Sequence, residues 1–377
     1  MPRRAAAESM RRFLLISVLL VLAGCAVPQA ELNPQGLEGP PPGTKVDVSA
    51  LPGWDTDNSA AALSAFVRSC KTIRRMPADE RLGGMGNAAE RGGQAGLWQP
   101  VCAKAEAVKP GDETAAKAFF EANFNAYAVG GRALITGYFE PEYPGTRNYE
   151  RGYTVPLYAK PADARLAKLT RKQIDHGGLY RKAPVTAYLA SRVDAFMLQI
   201  QGSGRILMPN GLILRVGFDG QNGQPYTPIG RILVEQGDIA PGDVSFQSIS
   251  AWLKAHPAEA TGIMEQNARY VFLRPLGPLP ADEGAPGALG VPLTAGRSLA
   301  VDRADIPLGA PVFVATTDPL TQAALDRLTI AQDTGGGIHG ADAADLFFGA
   351  GAKAKAIAGA MRQPGELYIL LPKPQAD

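Results

Sequence analysis

The most informative stretch of this chain reads Ala331-Gln332-Asp333-Thr334-Gly335-Gly336-Gly337-Ile338-His339-Gly340. Asp333 follows the apolar run 328–331 and precedes four glycines, so it is predicted to lie where a strand gives way to a loop. Glycine permits positive φ angles and lets a bulky ligand approach the backbone closely. Loops held by a rigid scaffold often carry catalytic groups. The pattern therefore fits a catalytic carboxylate, and it fits equally a tight turn in which Asp333 caps its own backbone.

The N-terminus has the features of a bacterial export signal. Four arginines in the first twelve residues precede the apolar run 13–22, which is too short for a membrane span of about 20 residues but typical of a signal peptide. It ends in Leu22-Ala23-Gly24-Cys25, which resembles a lipoprotein box and implies cleavage of residues 1–24 and lipidation of Cys25. The alternative is an ordinary secretory signal with a chance cysteine. Because Ala26 and not Asp follows, we expect a lipoprotein on the periplasmic face of the outer membrane, firmly held by several acyl chains.

Composition limits what the rest of the chain does. Residues 25–44 are rich in Pro and Gly, as in an extended tether, and about 320 residues remain for two domains. The net charge of +2 and the lack of a basic stripe argue against nucleic acid as a partner. In an oxidising compartment Cys70 and Cys102 are either a disulfide or two buried thiols. The three histidines are scattered, so we expect neither a metal site nor a cofactor.

Hydrophobic periodicity predicts a mainly β fold with a few helices. One helix would begin at Asp57 or Asn58, because apolar residues then recur at helical spacing from Leu63 to Cys70. Residues 196–201 alternate as in a strand, which would place Gln199 and Gln201 along a polar groove or on a solvent face. The other expected elements are a hairpin over 205–218 turning at 209–211, helices over 114–127, 230–236 and 249–256 (the last capped by Ser248), strands from 133 and over 270–273, 311–316 and 367–371, and a linker over 275–292.

Several motifs together resemble one family. They are Thr136-Gly137-Tyr138-Phe139-Glu140-Pro141, Met197-Leu198-Gln199-Ile200-Gln201-Gly202-Ser203-Gly204, Val291-Pro292-Leu293-Thr294, Ser298-Leu299-Ala300-Val301-Asp302, Ile306-Pro307-Leu308-Gly309 and the Asp333 run through Asp345. In this order they resemble segments of the membrane-bound lytic murein transglycosylase A family, over roughly residues 51–371.

The resemblance implies a fold and a reaction. The fold would be a double-psi β-barrel domain built from residues 45–138 and 286–377, with a smaller β-barrel domain, 139–285, inserted between them. The glycan strands of peptidoglycan would lie in the groove between the two. The enzyme would cleave the β-1,4 bond between N-acetylmuramic acid and N-acetylglucosamine without water and leave a 1,6-anhydromuramoyl end.

The resemblance also assigns roles to residues. Asp333 would act first as acid and then as base, which requires its pKa to lie above the usual value of about 3.9. Asp345 is the favoured supporting carboxylate and hydrogen-bond partner of Asp333. The other candidates are Asp302, Asp305 and Asp342, and for Asp302 a structural role fits equally well. The expected substrate contacts are Thr136, Gly137, Tyr138, Gln201, Gly202, Ser203, Gly204, Asp302, Thr334, Gly335 and Gly336. Tyr138 would stack on a sugar or lie in the core, and 201–204 would contact sugar or form a simple turn.

Two rival classes of protein fit part of the pattern. Asp333-Thr334-Gly335 also spells the signature of aspartic proteases, which use two carboxylates sharing one proton. A second Asp-Thr-Gly or Asp-Ser-Gly is absent from the sequence, which argues against that class. The other rival is a non-catalytic lipoprotein that binds the cell wall with the same fold.

Overall fold

The computed structural model describes residues 40–83 and 85–374. Its helices are Ser59–Ile73 (α1), Gly86–Gly92 (α2), Ala95–Ala107 (α3), Glu113–Asn123 (α4), Arg171–Gln173 (α5), Arg192–Gln201 (α6), Ile229–Glu235 (α7), Phe246–Ala255 (α8), Pro257–Glu265 (α9) and Gly351–Ala360 (α10). Its strands are Lys45–Val46 (β1), Phe124–Ala128 (β2), Ala133–Glu140 (β3), Glu142–Thr146 (β4), Val155–Tyr158 (β5), Val185–Leu189 (β6), Gly204–Leu207 (β7), Ile213–Gln221 (β8), Val271–Pro275 (β9), Glu283–Pro286 (β10), Pro292–Thr294 (β11), Ser298–Val301 (β12), Pro311–Ala315 (β13), Arg327–Asp333 (β14), Ala343–Ala350 (β15) and Arg362–Pro372 (β16).

Strands from both ends of the described chain form a closed barrel. In the order β3, β15, β12, β14, β13 and β16 each strand pairs with the next, and β16 pairs back with β3. The β12–β14 and β15–β3 pairs are parallel and the other pairs of the ring are antiparallel. β2 and β1 extend the sheet outward from β16. Closure leaves no free edge around the ring, and alternate side chains fill its interior.

Helices α1, α3 and α4 cover the barrel and share its hydrophobic core. Asn58 caps α1 by accepting a hydrogen bond from the amide of Ala61, as one of the two expected caps. Asp57 instead accepts two hydrogen bonds from the Arg297 guanidinium, at 2.7 and 2.9 Å. A disulfide joins Cys70 of α1 to Cys102 of α3, so it ties two of the covering helices together.

The middle of the chain forms a second sheet in the order β5-β6-β4-β7-β8-β9. β4 and β7 pair in parallel, and the sheet curls until its edge strands β5 and β9 come into contact. Helices α6 to α9 pack beside it around a separate cluster of buried side chains. The hairpin of β7 and β8 forms with its turn at 209–211, as predicted.

A buried cluster of charged side chains connects the two chain segments that pass between the barrel and the second sheet. Glu140 ends β3 and is fully buried. It accepts hydrogen bonds from Arg205 Nε and Arg215 Nη2 at 3.0 Å, and from the backbone amide of Ala285 at 2.7 Å. Arg215 also donates to the carbonyl of Glu283. The cluster therefore links the end of β3, where the chain leaves the barrel, to the second sheet and to β10, where the chain returns.

Some expected elements were wrong. The helix placed over 114–127 ends at Asn123, because residues 124–128 form β2 against β16. Residues 196–201 belong to α6 and not to a strand, since an apolar run this short fits either period. The helix placed at 249 begins at Phe246, where Ser245 is the cap and Ser248 completes the capping box.

Other parts of the chain were not anticipated. The expected linker over 275–292 contains β10 and the start of β11, and α2, α3, α9 and α10 had no counterpart among the expected helices. The proposed signal peptide, Cys25 and most of the tether lie outside the described residues. Within 40–83 and 85–374, none of the helices is both long enough and apolar enough to span a bilayer.

Candidate active site

A groove of about 750 Å³ lies between the barrel and the second sheet. The barrel contributes the ends of β3, β12, β14 and β15, and the opposite wall comes from α6, β8 and β9. Ten of the predicted site residues line it, namely Thr136, Tyr138, Gln201, Gly202, Ser203, Asp333, Thr334, Gly335, Gly336 and Asp345.

Asp333 is the last residue of β14, and both of its carboxylate oxygens are held. Oδ1 accepts a hydrogen bond from the backbone amide of Ala288 at 2.9 Å, and Oδ2 accepts one from the Tyr138 hydroxyl at 3.0 Å. Burial raises the pKa of Asp333, while hydrogen bonds from the amides of Thr334 and Ala288 and from Tyr138 oppose the rise. The geometry thus holds a carboxyl group that retains its proton more firmly than an ordinary aspartate.

Gln332 fixes the strand just before this carboxyl group. Its side chain is fully buried, donates to the carbonyl of Ala65 and the hydroxyl of Ser69 on α1, and accepts from the hydroxyl of Ser298. Gln332 therefore links β14 to α1 through side-chain hydrogen bonds. These bonds hold the end of the strand, and with it Asp333, in position.

Asp345 lies in the same row of the barrel as Asp333. Asp333 pairs with Ala300 on β12, Ala300 pairs with Asp345 on β15, and Asp345 pairs with Thr136 on β3. Two strand spacings separate the aspartates, about 10 Å between backbones. Asp345 is therefore not a hydrogen-bond partner of Asp333, which corrects that expectation, and its Oδ1 has no partner among the described residues.

The pKa of Asp345 is raised to about 7, chiefly by burial and further by the charge of Asp333, with the Thr136 hydroxyl opposing. For Asp333 the cause is burial. Two like charges placed in this way disfavour the ionisation of both carboxyl groups at once. At neutral pH the row can hold one ionised and one protonated carboxyl group.

Tyr138 contributes its hydroxyl to the site. The side chain is only 8% exposed, and its ring packs against Phe347, with centroids 5.1 Å apart. Burial, followed by the charge of Asp333, raises the pKa of Tyr138, so the hydroxyl keeps its proton and donates a hydrogen bond to Asp333. Of the two roles expected for this ring, its burial and its packing against Phe347 favour the core aromatic over stacking on a sugar.

The glycines after Asp333 allow close contacts. Of the four, only Gly340 has a positive φ, of 84°. A Cβ on Gly335 would lie 2.7 Å from Cδ1 of Ile338, and one on Gly336 would lie 2.1 Å from Nη1 of Arg269 on the opposite wall. The glycine loop can therefore pack closely against Ile338 within the loop and against Arg269 on the far wall of the groove.

The opposite wall is rich in amides. Gln199 is 3% exposed, and its Oε1 has no hydrogen-bond partner in the described part of the chain. Gln201 Oε1 accepts from the backbone amide of Phe139, and Gly202 ends α6 with a φ of 74°. Of the two alternatives for these glutamines, the structure supports the groove.

Three expected substrate contacts do not line the groove. Gly137 packs against α10, where a Cβ would lie 2.8 Å from Cα of Ala358. Gly204 is equally crowded, since a Cβ there would lie 2.2 Å from Cδ1 of Leu198. Asp302 accepts from the amides of Ala304 and Gly340, so its role is to hold the glycine loop. These residues shape the backbone around the site.

Some groove residues were missed by sequence reasoning. Ala288 donates to Asp333 from a segment that reads as a linker, and Arg269 and Tyr226 reach the glycine loop from the far wall. None of them belongs to a motif with a recognisable spacing. Within the described residues there is also no cluster of three or more His, Cys, Asp or Glu side chains able to hold a metal ion.

Comparison with known proteins gives matches along most of the chain. The model of the MltA specific insert domain matches residues 134–274, and that of the 3D domain matches residues 297–371. Membrane-bound lytic murein transglycosylase A of Escherichia coli K12 is 31% identical over 259 residues, which cover 65% of this chain and 67% of that protein.

Solved structures agree with these matches. A crystal structure of a membrane-bound lytic murein transglycosylase from Agrobacterium tumefaciens is 29% identical, with a TM-score of 0.77 over 87% of this chain and 97% of that one. The E. coli MltA structure with bound chitohexaose is 25% identical, with a TM-score of 0.67 over 90% and 97% of the two chains.

Barrel, inserted sheet and groove, together with these matches, define a lytic transglycosylase. The chain belongs to the membrane-bound lytic murein transglycosylase A family. Its fold is the double-psi β-barrel with an inserted domain that the sequence motifs implied.

Proposed function

We propose that this protein cleaves the β-1,4 bond between N-acetylmuramic acid and N-acetylglucosamine of peptidoglycan without water and leaves a 1,6-anhydromuramoyl end. The observation that carries this proposal is Asp333, a carboxyl group with a pKa raised by burial, placed in a groove of about 750 Å³. That volume is within the range of ligand-binding clefts. Membership of a family of lytic transglycosylases supports the same reaction.

One acid is enough for this chemistry. Ordinary glycosidases use two carboxyl groups, one as acid and one as nucleophile or base. Here the nucleophile is the C6 hydroxyl of the muramoyl residue itself, already tethered to the reacting ring, so its effective concentration is high. Asp333 protonates the glycosidic oxygen as the bond from C1 breaks. It then takes the proton of the C6 hydroxyl as O6 bonds to C1, which restores the acid.

The surroundings of Asp333 suit both halves of this cycle. Burial raises the pKa of the carboxyl group and so favours its protonated form before the reaction. After proton transfer, the amide of Ala288 and the hydroxyl of Tyr138 already point at its oxygens and stabilise the carboxylate. We infer that Tyr138 and Ala288 are positioning groups that set the orientation and the acidity of Asp333.

Asp345 would act as a neutral carboxylic acid while Asp333 is ionised. Its pKa of about 7 keeps it largely protonated on the acid side of neutrality. A protonated Asp345 does not repel the charge on Asp333, and its Oδ1, which has no partner among the described residues, can bond a sugar hydroxyl. Small Ala300 between the two aspartates leaves the floor of the groove open at that point.

The far wall would bind the acetamido groups of the glycan. Gln199 is buried and its Oε1 has no hydrogen bond to the described part of the chain, which is costly unless a ligand completes it. An acetamido group offers one N–H and one carbonyl, the complement of a primary amide. The relative solved with chitohexaose, a chain of acetamido sugars, supports this role for the groove.

We also propose the domain division and the cellular location given by the sequence. The barrel domain would comprise 45–138 and 286–377 and the insert 139–285, since strands β4 to β9 belong to a separate sheet. Residues 1–24 would be removed, Cys25 lipidated and the protein held by a 25–44 tether at the periplasmic face of the outer membrane. Relatives named membrane-bound support attachment to a membrane. Loss of labelled fatty acid from a Cys25→Ser variant would test it.

The reaction itself is tested by digesting purified murein sacculi in water labelled with heavy oxygen. A transglycosylase adds no water, so we expect products without the label at their new reducing-side ends. Labelled ends would identify a hydrolase and contradict the proposal. Binding to sacculi without any product would identify the rival class, a non-catalytic cell-wall-binding lipoprotein.

A further inference from the structure

Arg269, a cation of the groove, has no acidic partner in the described part of the chain. Arg269 lines the wall opposite the barrel, and its Nε donates to the carbonyl of Gln224 at 3.1 Å. Among the described residues no carboxylate lies within 4.0 Å of its guanidinium, and neither Nη atom makes a hydrogen bond. Tyr226 supports the side chain from one side, with the guanidinium carbon 5.8 Å from the ring centroid. Arg269 is therefore held in place with its two terminal nitrogens available.

The other two arginines of the groove are occupied. Arg171 is buried, donates to the carbonyls of Asn267 and Arg269, and lies over the ring of Phe196. Arg274 has Asp219 at 4.0 Å and lies about half exposed at the outer end of β9. Arg269 is thus the groove arginine with free donors close to the glycine loop.

Arg269 also lies close to the reacting carboxyl group. A Cβ on Gly336 would be 2.1 Å from its Nη1, so the guanidinium touches the backbone three residues after Asp333. Three residues of extended chain span at most ~10 Å. A sugar bound with its C1 at Asp333 and its C3 edge toward the glycine loop would bring its C3 substituent within reach of Arg269.

The substrate has one group that fits this cation. Muramic acid differs from glucosamine by a lactyl ether on O3, which ends in a carboxyl group. Where the stem peptide has been removed by amide hydrolysis, that group is a free carboxylate, and where the peptide remains it is a neutral amide. Arginine binds carboxylates through two parallel hydrogen bonds, which are stronger than bonds to a neutral carbonyl.

We propose that Arg269 recognises the lactyl carboxylate of the muramoyl residue at the cleavage site, so that the enzyme prefers glycan strands from which an amide hydrolase has already removed the peptides. This rests on the proposed function, because it assumes a muramoyl residue beside Asp333. It adds a specificity-determining residue and a preferred state of the substrate. Gly336 contributes to the same recognition, because a side chain at this position would displace the guanidinium of Arg269.

The test uses the full chain carrying Asp333→Asn, so that ligands stay intact, and measures binding by calorimetry. The ligands are peptide-free muroglycan strands, the same strands carrying stem peptides, and chitohexaose, which has no lactyl group. Loss of a charge-assisted pair predicts that Arg269→Gln weakens binding of the peptide-free strands roughly 10- to 100-fold and leaves chitohexaose unchanged. The preference for peptide-free over peptide-bearing strands should disappear.

Matched variants keep the test decisive. Arg274→Gln removes the same charge from the same wall and should leave the preference in place. Arg269→Lys keeps the charge without the planar pair of donors and should retain part of the affinity. Gly336→Ala should weaken binding of the peptide-free strands in part, because the guanidinium has to move away from the added methyl group. Equal melting temperatures establish that the variants are folded.

Several results would overturn the inference. Equal losses on chitohexaose and muroglycan would make Arg269 a general part of the wall, and no loss on either would remove it from recognition. A larger loss on peptide-bearing strands would assign the anion to the stem peptide, and the same selective loss in Arg274→Gln would point to overall charge. Failure of the proposed function is seen separately, as sacculi yielding no anhydro ends with unsubstituted protein.

Discussion

Asp333 and Asp345 face the groove from one row of the barrel, on either side of Ala300. The register of three neighbouring strands fixes this relationship, and the row continues to Thr136 on β3. Among the described residues no hydrogen bond joins the two carboxyl groups, and burial together with the charge of Asp333 raises the pKa of Asp345. An aspartic protease dyad is therefore not what this site contains, and each carboxyl group has its own role.

Asp345 makes stability depend on pH. Its pKa rises from 3.8 to about 7 on folding, so the folded state holds a proton that the unfolded chain releases. The stabilisation from that proton is complete below pH 3.8 and is lost as pH rises through about 7. Asp345→Asn does not titrate, so relative to the unsubstituted protein it should gain up to ~4 kcal/mol between pH 4 and pH 8. Urea unfolding at both pH values measures this, and a pH-independent difference would contradict the assignment.

Tyr138 should set the acidity of Asp333. Its hydrogen bond lowers the pKa of that carboxyl group, so Tyr138→Phe should move the alkaline limb of kcat/KM to higher pH. Loss of the positioning bond should lower the maximum rate roughly 10- to 100-fold. Tyr143→Phe, on β4 and outside the groove lining, is the control and should change neither. A Tyr138→Phe profile that falls in height without shifting would leave Tyr138 with a packing role alone.

The buried amide of Gln199 should strengthen glycan binding and contribute nothing to the stability of the fold. Gln199→Met replaces a buried amide, whose Oε1 has no hydrogen bond to the described residues, by an apolar chain of similar length, so the free energy of unfolding should stay equal or rise. Binding of chitohexaose should weaken about 5- to 10-fold, because the acetamido contact is lost. Unfolding and calorimetric titration give both numbers. A destabilised variant with unchanged affinity would show that the amide has only a structural role.

Glu140 should hold the second sheet in place. Glu140→Gln leaves two arginines around a buried site without their charge partner, which should destabilise the protein by about 3–5 kcal/mol. Glu142→Gln removes a carboxylate two residues further on, 3.9 Å from Arg205 and partly exposed, and should cost about 0–1 kcal/mol. Denaturant unfolding compares the two variants. Similar small losses in both would mean that the cluster contributes little beyond packing.

The sequence was most informative where a motif coincides with a local structural requirement. Asp333 was found because an apolar run, a carboxylate and glycines occur together, and Asn58 because capping is local. Periodicity predicts a strand around Gln199, since six residues fit both periods. The lack of a hydrogen-bond partner for its Oε1 among the described residues depends on how α6 packs. Ala288 contributes only a backbone N–H, for which a side-chain pattern carries no signal. Arg269 meets Gly336 across 67 residues of sequence, a contact that the folding of two sheets creates.

The most direct measurement is the mass of the muropeptides released from purified sacculi by the protein and by its Asp333→Asn variant. We predict fragments lighter by one water than the products of a lysozyme-type hydrolase, and a loss of at least ~100-fold in their rate of release with the variant. Fragments with hydrated ends, or anhydro fragments released equally well by Asp333→Asn, would contradict the assignment of Asp333 as the acid and base.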